Sequence, residues 1–220
     1  MMPSSRVVVM LSGGGSNLQA LIDATASPAF PAKIVGVISD RPDAYGLQRA
    51  AQSDIPSRCV ERDHYATRTE FEHALARAIA DFDPDFVLLA GFMRILRGDL
   101  PDRYAGRMLN IHPSLLPRHK GLDTHQRAID AGDIAHGCTV HFVTRELDAG
   151  PALIQARLDI ADTTNAEQLA AQVLKLEHKI YPLALRWLAE ARVELTSNGI
   201  TLDRIELPEP VVMDADGLDC

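Results

Sequence analysis

The chain has 220 residues, 46% apolar and 24% charged, with 22 basic against 30 acidic side chains and a formal charge of -8. This composition suits a globular protein large enough to bury a core without disulfide staples, and an acidic chain without a Lys/Arg block argues against nucleic acid, whose phosphates demand positive charge. The apolar run at 86–90 falls far short of the roughly 18 residues a membrane span needs, and the N-terminus lacks the plan of a signal peptide, so we expect a cytoplasmic protein with no membrane partner.

In chain order the first half repeats a short β-branched run, a glycine or polar loop and a helical pattern. That alternation predicts an α/β fold with a doubly wound, mostly parallel sheet in a single domain. A strand over 7–11 leads through Ser12-Gly13-Gly14-Gly15-Ser16 to a helix over about 17–26, with Leu18, Leu21 and Ile22 on one face. A second strand, 34–38, precedes Arg41-Pro42-Asp43, where Asp43 is the expected N-cap of a helix running to Ala51. A third strand ends at Val60, a helix carries Phe71, Leu75 and Ile79, and residues 86–90 suit a central buried strand.

From Met108 the pattern changes. Residues 108–111 form a short strand before His112-Pro113 and an irregular loop with Pro117 and Gly121, and such loops commonly carry function. A helix over about 123–131 stops at Gly132, and strands at 138–143 and 153–160 flank a turn at Asp148. A last helix, about 165–191, buries Leu169, Val173, Leu176, Ile180 and Trp187, with a kink expected at Pro182. Residues 208–220 read as a disordered tail.

Two segments carry chemistry. In Ser12-Gly13-Gly14-Gly15-Ser16-Asn17 the glycines allow close backbone approach, and the helix N-terminus behind them favours phosphate. The plainer alternative is a glycine turn with Ser16 or Asn17 capping the helix. No Gly-Lys-Ser/Thr follows, which argues against a triphosphate P-loop; a dinucleotide site built on Gly13, Gly15 and Asp40 is a rival, weakened by Leu18 at the third glycine position.

In the second segment, Asn110 and His112 share one face of a strand because side chains alternate. An amide can bind an oxyanion, an imidazole can exchange a proton near neutral pH, and a carboxylate such as Asp148 can orient the ring. The alternative is a loop histidine that is merely hydrogen-bonded. Ser12, Ser16 and Ser114 have no evident activating base, Cys138 reads as packing, and the histidine spacings offer no ligand set, so no metal is expected. With no C-x-x-C pair, Cys59, Cys138 and Cys220 read as free thiols.

Four segments, Leu11-Ser12-Gly13-Gly14-Gly15-Ser16-Asn17-Leu18-Gln19-Ala20, Leu89-Ala90-Gly91-Phe92-Met93-Arg94-Ile95-Leu96, residues 109–117, and His141-Phe142-Val143-Thr144 continuing to Leu147-Asp148-Ala149-Gly150-Pro151, resemble the folate-dependent formyltransferase family in its glycinamide ribonucleotide branch. They occur in the family's order and spacing over about residues 6–190. The resemblance implies a Rossmann-like fold and a transferase of purine biosynthesis that moves a formyl group from the co-substrate 10-formyltetrahydrofolate to the amine of 5'-phosphoribosylglycinamide. It implies phosphate binding at Gly15, Ser16 and Asn17 and a catalytic set of Asn110, His112 and Asp148. It also implies a folate pocket at Arg68, Met93, Arg94, Ile95, Leu96 and Asn110, and ribose contact by Glu177. The substrate phosphate would then fall to the half at about 6–100, and catalysis and folate to the half at about 101–192.

Plainer readings stand beside these: a solvated charge for Arg68, ordinary core for 93–96, a surface charge for Glu177. Lys120 and Asp123 depart from the proline and histidine common in the family and change the local charge of that loop. A formyltetrahydrofolate hydrolase is the near alternative, disfavoured with a methionyl-tRNA formyltransferase by chain length, and a dinucleotide-binding oxidoreductase is the distant one. Small-molecule substrates are the expected partners, and a homodimer is left open.

Overall fold

The structure is a computed structural model, and it describes residues 4–160 and 165–215. The chain divides into two compact units, Met1–Leu109 and Asn110–Cys220. In the first, β1 (Ser5–Leu11), α1 (Ser16–Thr25), β2 (Ala32–Ser39), α2 (Tyr45–Gln52), β3 (Ser57–Cys59), α3 (Arg68–Ala80), β4 (Phe86–Leu89) and α4 (Leu100–Arg103) follow one another. The strands run parallel in the order β3-β2-β1-β4. Val7 to Leu11 have no exposed surface, as expected of a strand covered on both faces.

Local chemistry sets the helix starts. Thr67 caps α3 in a capping box, its hydroxyl accepting from Glu70 N while Glu70 accepts from Thr67 N. The expected cap at Asp43 is not formed. The N-cap of α2 is Ala44 without a side-chain bond, and Asp43 instead pairs with Arg41 Nη2 at 2.9 Å, an ion pair two residues apart that leaves no oxygen aimed at the helix amides.

β5 (Met108–His112) begins two residues before the division, and the chain continues in the second unit with α5 (Thr124–Asp130), β6 (Ala135–Phe142), β7 (Ala152–Asp159) and α6 (Ala166–Ala189), then β8 (Val193–Thr196), β9 (Gly199–Leu202), β10 (Ile205–Leu207) and β11 (Val211–Asp214). The order β5-β6-β7-β11 contains an antiparallel β6–β7 pair and a parallel β7–β11 pair, while β8, β9 and β10 form a separate antiparallel sheet. Helix α6 passes Pro182 as one element, capped by Asn165, which accepts from Gln168 N at 2.9 Å. The fold class is therefore α/β with a mostly parallel sheet and flanking helices.

The expected disordered tail from 208 is corrected over its first part. Residues 211–214 are β11, with Val211 opposite Ile154 and Asp214 opposite Arg157, so long-range pairing orders a segment whose own periodicity is weak. The remainder, 216–220, with Cys220, lies outside the described residues.

Candidate active site

In the first unit, Gly15 ends the glycine loop with φ 71, and no side chain caps α1. The plainer reading, a cap by Ser16 or Asn17, does not describe this turn. A Cβ on Gly15 would lie 2.6 Å from Gly46 Cα, a collision with backbone that no rotamer relieves. We expect Gly15→Ala to cost roughly 1–2 kcal/mol for its backbone conformation alone, with displacement of the loop, read as a lower midpoint in urea unfolding. Arg49 braces the loop by donating to Gly14 O at 2.9 Å, and Gly46 N donates to Gly13 O at 3.0 Å.

Ser12 joins this loop to the next. Its hydroxyl donates to Asp40 Oδ1 at 2.5 Å and accepts from Met93 N at 2.8 Å. Arg94 Nε donates to the other Asp40 oxygen at 2.6 Å, and the Asp40 side chain is 1% exposed. Both oxygens are thus committed inside the protein. The dinucleotide reading required Asp40 to face a ribose, and these contacts remove it.

Glu72, also buried, accepts from Arg68 Nε at 2.7 Å, Arg97 N at 3.2 Å and Gly98 N at 2.5 Å, while Arg68 Nη2 bonds to Ile95 O. The Arg68 guanidinium is therefore partly spent on shaping segment 95–98, beyond the solvated charge of the plainer reading. A cavity of about 360 Å³ is lined by Arg62, Arg68, Phe71, Glu72, Met93, Arg94 and Ile95, within the size range of small-molecule sites. Met93 is 67% exposed whereas Leu96 is buried, so the core reading holds for Leu96 alone.

In the second unit, β5 places Asn110 and His112 on one side, as alternation requires. Asp148 lies 3.4 Å from His112 Nδ1, and His112 Nε2 donates to His119 O at 3.0 Å. A ring with protons on both nitrogens thus has an acceptor for each. Asp148 is held at φ 46, a left-handed conformation that costs a non-glycine residue energy, and accepts from Gly121 N at 2.9 Å.

Sequence reasoning left His141 outside the candidate set. Its Nδ1 donates to Phe142 O at 3.0 Å, so the neutral ring presents a lone pair at Nε2, which accepts from Asn110 Nδ2 at 3.1 Å. Burial lowers its pKa and outweighs the nearby Asp148 charge, in keeping with a neutral ring. His141 Nε2 also lies 3.7 Å from Asp148 Oδ1. Asn110, His141, Asp148 and His112 therefore follow one another as a chain of neighbours. The only sequence signal for His141 was its place in a motif strand.

Glu177 is buried in α6, which overturns its reading as a surface charge. Burial, then the Glu177 charge, raises the Cys138 thiol well above its ordinary range, consistent with packing. His136 in β6 meets His125 of α5, Nδ1 of the latter 3.1 Å from Nε2 of the former. Desolvation, aided by the neighbouring imidazoles, lowers His136 to about 4. Because the folded form holds this proton less tightly than the unfolded chain, stability falls as pH drops from about 6.5 towards 4, by on the order of 3 kcal/mol in full. Urea unfolding at pH 7.5 and 5.0 should show that slope, reduced in His136→Gln.

Among the described residues no group of three or more His, Cys, Asp or Glu could hold a metal ion, and no helix is long and apolar enough to cross a membrane. With two loops and an amide–imidazole–carboxylate series in place, comparison gives the class: residues 5–185 match the formyl transferase family, and the chain belongs to it. It is similar to the phosphoribosylglycinamide formyltransferase of Haemophilus influenzae, 44% identical over 204 residues, which are 93% of this chain and 96% of that protein. It is similarly 43% identical to that of Escherichia coli over 92% of this chain and 95% of the relative. A solved phosphoribosylglycinamide formyltransferase from Coxiella burnetii superposes with a TM-score of 0.91 at 45% identity, covering 96% of this chain and 99% of the other.

Proposed function

We propose that this enzyme transfers the formyl group of 10-formyltetrahydrofolate to the primary amine of 5'-phosphoribosylglycinamide, a step of purine biosynthesis. The observation that carries this reading is the Asn110–His141–Asp148–His112 series in a chain whose full-length relatives bear that activity in their names. The amine lone pair attacks the formyl carbon, forming the C–N bond and turning the carbonyl oxygen into an oxyanion. Asn110 Nδ2 donates to that oxyanion, and His112, charge-balanced by Asp148, stabilises the same charge. Collapse restores the carbonyl and breaks the bond to N10, which takes the electron pair and a proton relayed through His112; the attacking amine releases its proton to water or Asp148. In the resting chain His112 Nε2 is bonded to His119 O, which aims the ring, and that contact yields only as the proton passes.

Gly15, Ser16 and Asn17 bind the substrate phosphate through backbone amides, and Glu177 takes ribose hydroxyls. The folate contacts are Arg68, whose Nη1 has no hydrogen bond among the described residues and so is left for a carboxylate, the segment Met93, Arg94, Ile95 and Leu96, and Asn110. The test is release of deformylated folate, followed by absorbance, with and without phosphoribosylglycinamide. Amine-dependent release with formylated product supports the reading. Equal donor consumption without the amine makes the enzyme a hydrolase, and no reaction in either case leaves the family fold without this activity.

A further inference from the structure

Beyond that series, the segment Arg118-His119-Lys120-Gly121 is fixed more tightly than an irregular loop needs to be. Three successive carbonyls each accept from a side chain: Arg118 O from Ser114 Oγ at 2.7 Å, His119 O from His112 Nε2 at 3.0 Å, and Lys120 O from Arg127 Nη1 at 2.6 Å. The following amide, Gly121 N, donates to Asp148 Oδ2 at 2.9 Å. One short segment therefore provides the acceptor at one nitrogen of the His112 ring and holds the carboxylate that faces the other.

At its centre His119 has φ 52, a left-handed conformation that costs an L residue roughly 1–2 kcal/mol. That conformation brings its carbonyl to His112. Its own side chain supplies a restraint: His119 Nε2 lies 2.7 Å from Asp133 Oδ2, and Arg118 grips the other oxygen of the same carboxylate. The Asp133 side chain is only 5% exposed and follows the turn that ends α5, where Asp133 N donates to Ala128 O at 3.0 Å. A buried carboxylate that binds two adjacent side chains is a stiff anchor, since each partner is charge-assisted.

We propose that Asp133 is a positioning residue for the formyl transfer assigned above. It acts through His119, fixing the carbonyl that aims the His112 ring, and touches no reacting atom. Without it His119 relaxes towards ordinary backbone, its carbonyl leaves Nε2, and Gly121 loosens its hold on Asp148. The kinetic half of the proposal rests on the assigned reaction; the structural half, the environment of the His112 ring, does not.

The experiment compares Asp133→Ala, His119→Leu and His119→Gln with the parent, by steady-state kinetics for both substrates and by nitrogen-15 spectra of labelled histidine. Asp133→Ala should lower kcat about tenfold or more, the scale on which small misplacements act, with each KM within about twofold and a shifted His112 Nε2 resonance. His119→Gln keeps an N–H for Asp133 and should lose clearly less than His119→Leu. Unchanged kcat with an unchanged resonance would overturn the proposal, as would raised KM values at constant kcat. If Asp133→Ala does not fold, the order of the two His119 variants decides, equal losses counting against. If the parent transfers no formyl group, the resonance alone decides, and its constancy in the variants would refute the positioning role.

Discussion

Replacing His112 with alanine is expected to lower kcat by roughly 10² to 10⁴-fold, the range associated with losing a positioned proton-transfer group, while circular dichroism stays that of the parent. The ring contacts Asp148 at 3.4 Å and His119 O at 3.0 Å, so its removal takes a cation from beside the developing oxyanion and leaves Asp148 without its closest ring partner. Asp148→Asn tests the other end. The amide keeps the shape but not the charge that balances a doubly protonated ring, and activity should fall by a similar order. Wild-type turnover in either variant would remove the assigned roles.

The second large effect is expected at Asn110. Its Nδ2 donates to His141 Nε2 at 3.1 Å, which orients the amide so that its remaining N–H can serve an oxyanion. Loss of one such donor lowers kcat about 10² to 10³-fold, and Asn110→Ala should do so. Asn110→Asp is the sharper probe. It is nearly isosteric, yet presents a lone pair to both the His141 lone pair and the oxyanion, so it should be at least as inactive as the alanine. If Asn110→Asp retained parental kcat, the oxyanion role would be lost even with the fold intact.

Much of this was legible in the sequence where interactions are local. The strand–glycine–helix order of β1 and α1, the apolar β4 and the stripe of α6 follow from periodicity and turn chemistry. The Asn110–His112 pair follows from alternation along one strand. Other features depend on contacts between distant positions. Asp40 sits where a ribose-binding acid would sit, but Arg94, 54 residues away, and Ser12 engage it. Asp133 carries no spacing signal because its partners, Arg118 and His119, meet it across the turn after α5. At Asp43 two local rules competed, and the ion pair with Arg41 prevailed over capping.

The parallel strand β11 has a consequence for how the chain keeps company with copies of itself. It lies outside β7 in the sheet order and covers Ile154 to Arg157. A strand edge stripped of its neighbour offers a row of unpaired amides and carbonyls to any passing strand, and a four-residue outermost strand offers far less than an eight-residue one. The lengths here are four residues for β11 and eight for β7. Ending the chain at Leu207 would exchange the short edge for the long one, and is expected to raise self-association, read by light scattering.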